Sequence, residues 1–224
     1  MSDIQPPDFA SYFHTFRVYP DRAQMEQNAT VFAAYLGALG FTINSACAML
    51  GNWESECRLN PNYPTSANFP TTRSGGFGLP QWTPWGRKIG DWALTNLGIS
   101  PTATDDNPLS AIDVQMLFHE YSATTGRDWY SNEGYNYTWP GFKTSSDDPR
   151  TLAEAYYWQY ERSSAQGPGT RGDQAAAWYE FFGGVLPPYP SKIPVWLLYK
   201  FKRGCFNWHS LHLFSTTRLI ALTA

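Results

Sequence analysis

Apolar residues recurring at helical spacing, interrupted by one long stretch that cannot be helical, constrain this chain more than any other feature. Ala29, Phe32, Leu36 and Leu39 fall three or four apart, after Pro20-Asp21 and before Gly40, the pattern of a capped helix with one buried face. Ala46, Met49, Leu50 and Trp53 repeat it, so a second helix is expected from about Asn44 to Cys57. It stops at Asn60-Pro61, because the residue before a proline avoids helical backbone. Residues 61–83 then break the period. They are rich in Pro, Gly, Asn, Ser and Thr, with Gly75, Gly76 and Gly78 around Phe77, a composition that suits tight turns and a short hairpin. Helical spacing returns with Trp85, Ile89, Trp92, Ala93 and Leu97, between Thr83-Pro84 and Gly98. Further helices are expected over residues 109–121, 149–162 and 171–182. Residues 124–148 read as a long loop whose rings, among them Trp129, Tyr135, Trp139 and Phe142, argue against disorder. The expected class is α+β, mostly α, with a small loop or β-hairpin lobe.

A chain of 224 residues, 42% of them hydrophobic, can bury one sizeable core. One domain is expected over residues 21–186, with an N-terminal extension at 1–20 and a C-terminal appendage at 187–224. The appendage differs in composition: no acid follows Glu180, whereas Lys192, Lys200, Lys202, Arg203 and Arg218 do. It reads as a loosely packed tail or as a docking segment, and its lack of a clean amphipathic period favours the tail. Residues 1–10 lack the basic start and apolar run of a secretory signal, and no stretch reaches the length of a membrane span. Delivery by some route other than a signal peptide is therefore expected.

Several chemistries are disfavoured. A net charge of −3 supplies no cationic field for nucleic acid, and residues 75–78 lack the Lys and Ser or Thr of a phosphate-binding loop. Cys47 and Cys57 lie about 15 Å apart on one expected helix, too far for a disulfide, and Cys205 cannot pair with both. The four His show no paired ligand spacing, so neither metal nor cofactor is expected. Ten Trp among 17% aromatic residues favour a carbohydrate cleft weakly, since rings stack on sugars but more often fill cores.

Two acids stand together in Gly51-Asn52-Trp53-Glu54-Ser55-Glu56-Cys57. Breaking a glycosidic bond requires a carboxyl that keeps its proton near neutral pH. Glu56 falls one turn beyond Trp53 and two beyond Met49 at a helix C-terminus, where apolar neighbours and the helix dipole both raise a carboxyl's pKa. Glu54 also reaches the stripe, near Leu50 and Cys57, so periodicity leaves the choice open. A single Glu on a helix is most often a solvated surface acid.

The run from Gly51 through Arg58-Leu59-Asn60-Pro61, followed by Gly76-Phe77-Gly78-Leu79-Pro80-Gln81-Trp82-Thr83, closely resembles the phage tail lysozyme family. The resemblance weakens through Tyr160-Glu161-Arg162 and Arg171, Ala175, Ala176, Trp178 and Tyr179, and covers roughly residues 25–182. Cys57 replaces the Ser usual after the family's Glu, and Pro80 stands where a small or β-branched residue is common. The resemblance implies a lysozyme-like fold and a catalytic Glu at Glu56 rather than Glu54. Gly78, Gln81 and Trp82 become sugar contacts, through close backbone approach, an amide that donates and accepts, and a stacking ring. It also implies a phage or prophage tail protein that opens the host wall, with peptidoglycan glycan strands as substrate and other tail proteins as partners.

Glu161 and Arg162 are expected to form a structural ion pair or to contact another helix. No second carboxylate stands out among Asp91, Asp105, Asp106, Asp113 and Glu120, so a lytic transglycosylase using one Glu stays open. A thiol peptidase built on Cys57 with His119, or Cys47 with His14, is disfavoured because neither Cys sits in a nucleophile signature. A non-catalytic peptidoglycan-binding tail module is the remaining alternative.

Overall fold

The computed structural model describes residues 12–132, 134–161 and 167–189, and these form a mostly helical body. Its helices are α1 (Arg22–Ala38), α2 (Ile43–Cys57), α3 (Ile89–Leu97), α4 (Ile112–Thr124), α5 (Trp139–Thr144), α6 (Pro149–Tyr156) and α7 (Arg171–Phe181). α1 opens with a reciprocal cap: Gln24 N–H donates to Asp21 Oδ1, and Asp21 N–H to Gln24 Oε1, each at 2.9 Å. α2 is capped by the Thr42 hydroxyl and ends in Arg58 and Leu59, whose φ of 52° and 62° turn the chain sharply away.

α2 is the central element, buried from Ser45 to Trp53 and packed against α1, α6 and α7. Its closest crossing is at Gly51, where an added Cβ would lie 2.6 Å from both the Arg171 carbonyl oxygen and the Ala175 nitrogen of α7. Only glycine lets the two backbones approach this far. The start of α7 is thereby held one turn from the end of α2.

Apolar burial falls into two clusters. The larger joins α1, α2, α5, α6 and α7 around Phe32, Leu36, Met49, Trp53, Phe142, Tyr156 and Trp178. The smaller packs residues 69–85 on α3 and α4 through Phe69, Phe77, Trp82, Trp85, Trp92 and Phe118. α4 joins them, placing Ile112 and Met116 in the first and Val114 and Phe118 in the second. Each such buried side chain contributes about 1.5–3 kcal/mol, so both lobes hold substantial apolar cores.

Several expectations need correction. Among the described residues there is no hairpin in 61–83, only an isolated antiparallel bridge between Pro64 and Phe77. Proline lacks the N–H that would extend a ladder. Side-chain amides hold the segment instead. Residues 83–98 are a 3-10 turn, Trp85–Arg87, then Lys88, then α3. The helix expected from 109 begins at Ile112, because Asn107 caps a separate 3-10 turn over Pro108–Ser110. The aromatic loop contains α5, capped by Thr138, and its Trp129, Trp139 and Phe142 belong to the larger core. α6 continues past Tyr156 as a π turn, Tyr157–Glu161.

Part of the expected N-terminal extension packs on the body. The Asn28 amide exchanges hydrogen bonds with the Phe13 backbone at 2.7 and 2.8 Å, and Tyr12 meets Phe32 edge-on. At the other end Tyr189 packs on Tyr35. Residues 1–11, Arg162 and the appendage from 190 onward, with Cys205, lie outside the described residues. Among the described residues no helix is long and apolar enough to cross a membrane.

Candidate active site

A cleft of about 340 Å³ opens between the two lobes, with Glu56, Tyr160 and Glu161 on one side and Thr65, Gly76, Pro80, Gln81, Trp82, Thr83 and Lys88 on the other. The first wall is helical. Glu56 stands in the last turn of α2, Glu161 ends the π turn and Arg171 begins α7. The Arg171 guanidinium binds both acids: Nη2 donates to Glu56 Oε1, and Nε donates to Glu161 Oε2 at 3.2 Å. Its planar group also lies over the Tyr157 ring, 4.8 Å from the centroid. π turns are rare and often mark functional sites; this one brings Glu161 to the cleft.

The two acids differ in environment. The Glu56 side chain is 23% exposed, whereas Glu161 is 3% exposed. Burial and then the neighbouring Glu56 charge push the Glu161 pKa up to about 8, against the pull of Arg171. Trp53, expected to desolvate Glu56, is a core ring: it is fully buried and donates to the Tyr156 hydroxyl at 3.2 Å. Glu161, expected to form a structural ion pair or to contact another helix, pairs with Arg171 of α7 and lines the cleft.

The second wall is a loop held by amides. Gln115 of α4 accepts from Leu79 N–H at 2.9 Å and donates to the Pro61 and Leu109 carbonyls at 2.6 and 2.9 Å, tying both ends of the loop to one side chain. Asn62 continues the network to His14 and Thr104 and accepts from Asn107 at 3.0 Å. Gln81, at φ 49°, donates to the Tyr63 and Gly78 carbonyls at 2.8 and 2.9 Å. Its Oε1 is buried and has no hydrogen-bond partner among the described residues. Gly78 lies behind this wall at φ 80°, where a Cβ would strike Gln115 and Trp82 at 2.9 Å. Trp82 is 2% exposed; its ring packs on Phe118 and its N–H donates to Tyr160 at 2.9 Å. The ring expected to stack on a sugar is thus largely a packing ring. Lys88, at the same wall, binds Asp128 at 2.9 Å.

The other candidates lie elsewhere. Glu54 accepts from the Trp178 indole at 2.8 Å, against α7 rather than in the cleft. Asp91 pairs with exposed Arg73, Asp105 accepts from Phe16 N–H, and Glu120 pairs with Lys143. Neither these nor Asp106 and Asp113 line the cleft. The Cys57 thiol is fully buried, and burial pushes its pKa well up. His119 is sequestered too: its Nε2 bonds the Tyr156 hydroxyl at 2.7 Å, and burial lowers its pKa to about 3. No acid-base pair of a thiol enzyme forms from groups this inaccessible. Among the described residues no cluster of His, Cys, Asp or Glu could hold a metal.

Sequence reasoning underweighted Glu161 and gave Arg171, Lys88 and Gln115 no part in the site. The only signal for the first two was their place in the weaker part of the resemblance. Morphogenesis protein 1 of Bacillus phage B103 is 30% identical over 174 residues, a match that takes in 77% of this chain and 44% of the phage protein. The chain therefore spans less than half the length of that curated relative. The family model described as phage tail lysozyme matches residues 27–182, which include both walls of the cleft and nearly all of the helical body from α1 to α7. This chain belongs to the phage tail lysozyme family.

Proposed function

We propose that the chain cleaves the β-1,4 glycan strand of peptidoglycan, with Glu56 as the general acid. The observation that carries this reading is the position of Glu56. It is a carboxyl open to the cleft, backed by a buried second acid and faced by a polar wall with no carboxyl among its lining residues. Gln81 supports it: with its NH2 fixed on two carbonyls, its buried, unpartnered Oε1 is an acceptor for a sugar N–H or O–H. Gly78 shapes the turn and Trp82 walls the cleft in this reading. Residues 21–186 act as the catalytic domain, with 187–224 as an appendage. Because the relative is a phage morphogenesis protein, we place the chain in a virion tail, beside other tail proteins, acting on the host wall.

One observation favours a second reading within the same chemistry. Two-carboxylate glycosidases hold the sugar between groups about 5–9.5 Å apart. Glu56 and Glu161 share one guanidinium on one side of the cleft, so no sugar fits between them. The attacking group is then water or the sugar's own hydroxyl, the latter being the lytic transglycosylase route. Mass analysis of fragments from purified peptidoglycan tests both. Reducing ends are expected from hydrolysis, and anhydro ends, lighter by one water, from the intramolecular route. Wall binding with no new sugar ends would overturn the enzymatic reading in favour of a binding module.

A further inference from the structure

Glu161 is a buried acid with no place in a reaction that Glu56 alone initiates. Its surroundings are specific. Oε2 accepts from Arg171 Nε at 3.2 Å, while Oε1 is buried and takes no hydrogen bond among the described residues. The neighbouring carboxyl is that of Glu56, held on the same Arg171 guanidinium, and burial and then its charge raise the Glu161 pKa. Two carboxylates in contact are both acceptors, so their contact is a hydrogen bond only when one of them carries a proton.

We propose that Glu161 is the proton store of this site: the Glu56–Glu161 pair holds a single proton, and Arg171 balances whichever carboxylate is charged. The inference rests on the reading of Glu56 as the acid. In the resting arrangement Glu161 carries the proton and Glu56 pairs with Arg171. The O–H bond on Glu161 breaks as one forms on Glu56, and the negative charge passes to Glu161, which already accepts from Arg171. Net charge is unchanged, so the exchange needs no new counterion. When Glu56 then gives its proton to the leaving glycosidic oxygen, two carboxylates and one guanidinium remain. This leaves one net negative charge beside the developing oxocarbenium ion.

The other groups around Glu161 do not compete for this role. Cys57 on α2, with Tyr156 on α6 and Tyr160 in the π turn, sense the Glu161 charge, and burial holds all three protonated well above neutral pH. Lys88 on the facing wall is committed to Asp128. The Glu161 pKa of about 8 agrees with a proton kept at pH 7. Glu161 is accordingly a positioning residue that acts through Glu56.

The test is the pH profile of Glu161→Gln. Without a second acid to share a proton, Glu56 faces Arg171 alone, and the alkaline limb is no longer set by a proton held on Glu161. The alkaline limb of kcat/KM should move down by about one unit or more. That is roughly a tenfold loss at pH values above both limbs, recovering at lower pH, with folding unchanged by circular dichroism. An unshifted profile, whatever the absolute rate, would overturn the proposal. Infrared difference spectroscopy gives a readout independent of glycan cleavage and of how the Glu161→Gln variant folds. The wild-type chain should show a protonated carboxyl at pH 7 that is lost toward pH 9, and in Glu56→Gln that loss should move to lower pH. No such carboxyl, or one unmoved in Glu56→Gln, would overturn the proposal even if the chain cleaves glycan. Its presence with no cleavage would uphold the shared proton and fault the glycosidase reading alone.

Discussion

The two walls of the cleft are built on opposite principles. The helical wall brings three charged side chains from α2, the π turn and α7 into contact, and its geometry depends on one backbone crossing at Gly51. The loop wall presents neutral groups from residues 65–83, plus Lys88, and buried amides bonded to backbone hold it in place. On the proposed reading the contrast is a division of labour: proton chemistry falls to the helices, where a displacement of an ångström matters. Recognition, on the same reading, falls to a loop whose shape is set by Gln115, Asn62 and Gln81 rather than by a sheet.

The contrast between the walls breaks most completely at the acid. Glu56→Gln should lower glycan cleavage by about a hundredfold or more, as expected for losing a general acid, while wall binding and melting temperature stay near wild type. Glu54→Gln should be far milder, since that carboxyl accepts from Trp178 outside the cleft. Reversed effects in a fragment-release assay would move the chemistry to the other face of α2.

The loop wall should fail at Gln115. Glu and Leu cannot reproduce an amide that accepts from Leu79 and donates to Pro61 and Leu109. Gln115→Leu leaves three buried backbone groups unpaired at about 1–3 kcal/mol each. With partial relaxation the expected total is about 2–5 kcal/mol, measured by denaturant unfolding. Cleavage should fall with the loop, and near-wild-type stability would show that the wall is held by its apolar cluster instead.

The helical wall should fail at its crossing. Gly51→Ala places a methyl against the Arg171 carbonyl and the Ala175 nitrogen, and overpacking of this kind costs about 1–3 kcal/mol. Displacing α7 also carries Arg171 away from Glu56 and Glu161, so the pH profile should change along with the melting temperature. A stability loss with an unaltered profile would separate the crossing from the chemistry.

The most gradual effect concerns stability against pH. Glu161 has a folded pKa of about 8 against an ordinary 4.5. Between those values the folded chain binds more protons than the unfolded one, so this group's contribution falls as pH rises through that window. Its side chain is only 3% exposed, and the total is on the order of a few kcal/mol. Relative to Glu161→Gln, the wild-type chain should therefore lose melting temperature steadily from about pH 4.5 to pH 8. A constant difference between the two would place the raised pKa elsewhere.

What could be read from the residues was local. The capped start of α1 at Asp21, the end of α2 before Asn60-Pro61 and the helix at residues 171–181 follow from spacing and capping chemistry, since those signals act within a turn or two. The glycines at 75, 76 and 78 announced a turn-rich segment, but not that amides rather than strand pairing would hold it. Long-range packing decides whether a ladder forms.

By itself the sequence determined a mostly helical chain, an acid-bearing helix end followed by a glycine-rich turn, and a resemblance specific enough to prefer Glu56 to Glu54. Only the tertiary structure decided that Glu54 turns toward Trp178, that Trp53 and Trp82 are packing rings, and that Arg171, 115 residues from Glu56, joins it to Glu161. The reason is physical. Periodicity and capping are properties of neighbours along the chain, whereas burial, shared protons and ion pairing are properties of neighbours in space. For an acid on a helix it is the second set that separates a solvated surface group from one that holds its proton.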